Sequence, residues 1–144
     1  MKKYLLILPF FFFLLNINVY SQAEKPVGTL TAHVTGIENN AGEAILLLYR
    51  PEDPVPKNPF MRVKGEIVKN ESVIAVRDLP YGDYAVILVH DENNNGVIDH
   101  KWGMPSESLG YTNHWKLTLF SGMPNFEKLR FNFSKANPMV MIKM

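Results

Sequence analysis

The chain has 144 residues, no cysteine, and 15 Lys and Arg against 14 Asp and Glu, a formal net charge of +1. A cysteine-free sequence has no disulfide, no thiolate metal site and no lipid-modified N-terminal cysteine. A charge this close to balance is uninformative, and no basic patch in the sequence argues for nucleic acid or an anionic membrane surface.

The N-terminus reads as an address. Met1-Lys2-Lys3 is a short basic start, Tyr4 to Leu15 an apolar run, and Val19-Tyr20-Ser21 a small-residue cleavage site. Asn16 and Asn18 interrupt the apolar run before it reaches the about 20 residues that a spanning helix needs. Residues 1–21 are therefore expected to be a signal peptide, with Ala23 as a second cleavage point. The mature chain is then exported, periplasmic or extracellular, with no membrane span. Losing Lys2 and Lys3 leaves 13 basic residues against 14 acidic ones. Residues 22–144 suit a single domain with one core.

Along that domain, strand patterns alternate with turn residues. In Gly28–Ile37, Leu30, Ala32 and Val34 share one face, and Thr29, Thr31, His33 and Thr35 the other. Asn39-Asn40-Ala41-Gly42 turns this strand into Glu43–Tyr49, which is apolar on both faces. Pro51, Pro54, Pro56 and Pro59 enforce a surface loop. Short strands are predicted at Arg62–Val68 and Ser72–Val76, followed by a turn at Leu79-Pro80-Tyr81-Gly82. Asp83–His90, apolar on both faces, is the expected central strand. The stretch from Asp91 to about Trp115 reads as one long irregular loop, of a length that is usually functional or disordered. Strands are expected again at Lys116–Phe120, Asn125–Phe133 and Met139–Lys143. Seven or eight short strands and no helix predict an all-β fold, an immunoglobulin-like or transthyretin-like β-sandwich.

The densest chemical signal lies just past the central strand, in His90-Asp91-Glu92-Asn93-Asn94-Asn95-Gly96-Val97-Ile98-Asp99. Asp91, Asn93, Asn95 and Asp99 stand at positions 1, 3, 5 and 9 of a calcium-type loop, with the Val97 carbonyl at 7 and Gly96 at the sharp turn. The bidentate glutamate of a full loop is missing, because Trp102 occupies its twelfth position. A site with two carboxylates is expected to be weak, about 10⁻⁴–10⁻³ M for calcium, unless Glu107 folds back to complete it. The competing reading is an Asn-Gly turn whose Asp and Asn side chains cap their own backbone.

Several of these motifs occur in a recognisable order: Leu79-Pro80-Tyr81-Gly82-Asp83-Tyr84-Ala85, then His90 to Asp99, Gly103-Met104-Pro105-Ser106-Glu107, Gly110-Tyr111-Thr112-Asn113 and Asn125-Phe126-Glu127-Lys128-Leu129. The sequence resembles the domain-of-unknown-function 2141 family of small exported bacterial proteins over most of the mature chain. Ser108 stands where that family frequently has glycine. The resemblance implies an exported β domain and no established activity.

The other candidate residues surround the acidic loop. His90 beside Asp91 has the composition of a metal or general-base pair, although a histidine at a strand end more commonly fills a partly buried slot. His90, His100 and His114 match no zinc-ligand spacing. Ser106 and Ser108 lack a nucleophile frame. Trp102, Tyr111 and Trp115 either face a ligand or fold down over the core. Together the residues predict a binding or interaction module with a structural calcium ion. Its ligand surface would comprise His90, Trp102, Glu107, Tyr111 and Trp115, and its partner a glycan or a cell-surface protein. Two alternatives remain at this stage: a metal-dependent hydrolase built on His90, Asp91 and Glu107, and a structural component of an envelope assembly.

Overall fold

The computed structural model describes residues 25–118 and 120–144. The expected signal peptide at residues 1–21 lies outside them. The fold is mostly β and contains several sheets. In chain order the strands are β1 (Val27–Thr35), β2 (Glu43–Tyr49), β3 (Met61–Gly65), β4 (Ser72–Pro80) and β5 (Gly82–Asp91). Next come β6 (His100–Lys101), β7 (Met104–Pro105) and β8 (Leu109–Tyr111). A 3-10 turn at Thr112–His114 and a one-turn helix, α1 (Phe126–Leu129), precede β9 (Phe131–Phe133) and β10 (Met139–Lys143).

One sheet has the order β10-β1-β4, with β1 parallel to β10 and antiparallel to β4. The larger sheet runs β3-β2-β5-β8, and β9 also pairs with β5. β8 takes Ile87–Val89 and β9 takes Gly82–Tyr84, so the two short strands share one edge of β5. The two-residue strands β6 and β7 form a separate small hairpin.

Side-chain alternation explains the packing. Leu30, Ala32 and Val34 of β1 meet Leu46 and Leu48 of β2, Ile74 and Val76 of β4, and Val86 and Leu88 of β5 in a core shared by both sheets. Burying each such Leu or Ile stabilises the fold by about 1.5–3 kcal/mol. The opposite face of the large sheet is also apolar: Ile45, Leu47, Tyr49, Ala85, Ile87 and Val89. A sheet with two apolar faces needs a second cover. Here the segment after β5 supplies it, with Leu109, Tyr111, Trp115, Leu117, Phe126 and Leu129 packed on that face.

This second core explains where the structure departs from the sequence expectations. The 91–115 stretch contains three short strands and a 3-10 turn, because it lies along β5 as a cover. Lys116–Phe120 shows no strand among its described residues. Asn125–Phe133 is divided. Asn125 caps α1 by accepting a hydrogen bond from Lys128 N at 3.0 Å, so the strand begins only at Phe131. The described residues form ten strands where seven or eight were predicted. β4 runs through Leu79 to Pro80, leaving only Tyr81 between it and β5.

Candidate functional site

β5 delivers Asp91 fully buried at its last position, and the chain then turns back over it. Asp91 Oδ1 accepts from Asn95 N at 3.1 Å, and Oδ2 accepts from Gly96 N at 2.7 Å. Asn93 Oδ1 also accepts from Asn95 N at 3.0 Å, and Asn95 Oδ1 accepts from Val97 N at 2.9 Å. The reversal needs left-handed backbone at Asn94 (φ 58) and Gly96 (φ 76), the residue types that tolerate it best. Asp99 closes the loop: its Oδ2 accepts from Asn93 Nδ2 at 2.7 Å and from Asn95 Nδ2 at 3.0 Å. Asp91, Asn93, Asn95 and Asp99 are thus brought together, with Val97 half exposed at the loop's outer turn.

Glu107 reaches this loop from the far side of the β6–β7 hairpin. Its Oε2 accepts from Asp99 N at 3.3 Å, while its Oε1 is buried without a hydrogen-bond partner among the described residues. Burial pushes the Glu107 carboxyl above the usual carboxylate range, and the negative charges of Asp91 and Asp99 add to the effect; the Asp99 amide and His90 oppose it. The mouth of the site is a cleft of about 380 Å³ whose walls include Glu38, Glu92, Asp99 and Glu107. No three His, Cys, Asp or Glu side chains among the described residues stand close enough to hold a metal by themselves. A hard cation here would have to draw on amide and peptide oxygens as well, the donor set that calcium accepts.

His90 is not a surface residue. It is fully buried, and its Nε2 lies 2.9 Å from the Ala41 carbonyl. A carbonyl only accepts, so Nε2 carries the proton. Nδ1 has no hydrogen-bond partner among the described residues, and the carboxylate oxygen paired with it, Glu92 Oε1, is 3.7 Å away. The expectation of His90 on a ligand surface fails because β5 is covered on both faces, and position 90 points into the gap beneath the β1–β2 turn. That turn is pressed close: a Cβ on Gly42 would lie 1.9 Å from the Asp91 carbonyl oxygen.

The aromatic candidates separate. Trp102 sits at the tip of the β6–β7 hairpin, 94% exposed. Tyr111 is buried, and Trp115 packs edge-on against it with ring centroids 4.7 Å apart. They form no common exposed face with Trp102. Tyr111 and Trp115 fold down onto the outer face of β5, as one of the two sequence readings had it.

Sequence reasoning missed Glu38, Ala41 and Gly42 as neighbours of the site. Their contacts span 49 residues for Ala41 with His90 and 70 for Glu38 with Ser108. No local spacing carries such a signal.

A small β domain with an Asx-rich loop at the end of its central strand is the class defined by this geometry. The family model for DUF2141, described as an uncharacterized protein conserved in bacteria, matches residues 32–141. The chain belongs to that family. No curated protein and no solved structure matches it significantly.

Proposed function

We propose that this protein is an exported binding module, an immunoglobulin-like or transthyretin-like β-sandwich, whose 91–99 loop is organised by a structural calcium ion. The observation that carries the reading is Glu107. Its Oε1 is buried, with no partner among the described residues, beside the loop that lacks an acidic twelfth residue. An ionised carboxylate oxygen left without a donor is costly, and a cation shared with Asp91 and Asp99 would remove that cost. In the bound loop, oxygens would come from Asp91, Asn93, Asn95, the Val97 carbonyl, Asp99 and Glu107, with Asn93 and Asn95 releasing their amide bonds to Asp99. The ion would fix the cover segment that follows, and with it the surface that meets a glycan or a cell-surface protein.

The hydrolase alternative gains no support from the geometry. His90 and Asp91 are both fully buried, and the histidine's Nε2 is committed to Ala41.

The test is thermal unfolding of the mature chain in chelator and in millimolar calcium. At about 100 times Kd, binding adds about 2.7 kcal/mol, a rise of roughly 10 °C for a domain of this size. The shift should vanish in Asp91→Ala. Equal melting in both buffers would remove the ion and leave an Asn-Gly turn.

A further inference from the structure

The cover over β5 is incompletely filled. Beneath it lies an inner chamber of about 130 Å³, lined almost wholly by apolar side chains that include Ile87, Ile98, Leu117 and Met123. An outer, more open chamber of about 320 Å³ adjoins it and shares Met104, Pro105, Leu109, Tyr111 and Leu117 as walls. Trp115, Lys116, Lys143, Met144 and Glu107 complete the outer chamber.

Three features describe an occupant. An apolar cavity of about 150 Å³ is known to take benzene, so the inner chamber suits one phenyl ring or a short alkyl tail. At the outer chamber, neither Lys116 nor Lys143 forms an ion pair with a described residue. Glu107 shares the outer chamber with them; its Oε2 accepts from the Asp99 amide, and its Oε1 has no hydrogen-bond partner among the described residues. Tyr111 lines both chambers and is 5% exposed. Burial pushes the Tyr111 phenol up to about 12, so it stays protonated and able to donate at neutral pH.

We propose that this cavity binds a small organic carboxylate, its apolar tail in the inner chamber and its carboxylate held by Lys116 and Lys143, with Tyr111 supplying a hydrogen bond. The proposal deepens the reading of the chain as a binding module and does not depend on the ion.

The experiment follows Trp115 fluorescence in the Trp102→Phe protein, which removes the signal of the exposed indole. Phenylpropanoate is titrated against phenylpropanol and phenylpropylamine, each in chelator and in calcium. Saturable binding of the carboxylate is expected, with the alcohol about fivefold weaker, the difference an exposed ion pair yields, and the amine weaker still. Lys116→Met with Lys143→Met, both at exposed positions, should abolish that preference. Tyr111→Phe should weaken binding without unfolding the protein. No saturable change in either buffer would overturn the proposal, as would equal binding of the three probes or a preference that survives the double lysine variant. The calcium-dependent thermal shift is read separately, so its absence would leave a positive titration standing.

Discussion

The backbone N–H of Asp99 donates to Glu107 Oε2 at 3.3 Å, joining the end of the Asx-rich loop to a carboxylate eight residues further on. This bond spans the β6–β7 hairpin and places an acid beside a loop whose own twelfth position is Trp102. In a shorter or differently folded connection Glu107 would be one more solvated side chain.

Replacing Glu107 by Gln keeps the shape and the acceptor but removes the charge. Calcium affinity should fall about tenfold, costing about 1.4 kcal/mol of calcium-dependent stabilisation. Calorimetric titration of the two proteins measures it directly. Unchanged affinity would show that Glu107 plays no part in ion binding.

The same residue predicts a pH dependence. Its carboxyl is raised, first by burial and then by Asp91 and Asp99, so the folded protein holds a proton that the unfolded chain has released. Ionised Glu107 therefore opposes folding above its raised pKa, and that penalty fades as pH falls toward the ordinary glutamate value of about 4.3. In chelator, wild type should lose stability relative to Glu107→Gln as pH rises through this interval. Calcium should reverse the order at neutral pH, because the ionised form is the one that binds. Parallel pH profiles for the two proteins in chelator would contradict the assignment.

Gly42 is held at φ 70 against the Asp91 carbonyl, with no room for a Cβ. Gly42→Ala must both strain the backbone and push the β1–β2 turn off the loop. A loss of about 2–4 kcal/mol is expected from those two effects together. Urea unfolding checks it, and a change below 0.5 kcal/mol, the size typical of surface substitutions, would mean that the turn does not press on Asp91.

His90→Ala removes a buried ring and leaves the Ala41 carbonyl without its donor. Destabilisation of about 2–4 kcal/mol should follow from the cavity and the lost bond. The imidazole NMR signals offer a second check: the tautomer protonated at Nε2 is required by the Ala41 contact. Finding the proton on Nδ1 in the neutral ring would break this account of the residue.

The strands with two apolar faces, β2 and β5, were legible as short apolar runs bounded by turn residues, a local signal that needs no partner to be read. β1 and β10 were also clear, although their parallel pairing was not. The Asx-rich loop was recognisable from spacing alone, since Asp91, Asn93 and Asn95 cap amides within five residues of themselves. The cover segment was not. Residues between Asp91 and Phe133 form short strands, a 3-10 turn and α1 according to how they fit the outer face of β5, and tertiary packing overrides weak local propensity there.

The sequence by itself therefore determined the β character, the family resemblance, and an oxygen-rich loop at the end of the central strand. It could not determine which way the neighbours of that loop point. Burial of His90 against Ala41, the approach of Glu107 to Asp99, and the chamber between Tyr111, Trp115 and the lysines all join residues remote from one another along the chain or divided between facing surfaces. Such contacts exist only once both faces of the large sheet are covered. Only the tertiary structure decided them, because hydrophobic burial is non-directional and names no partner until the chain has packed.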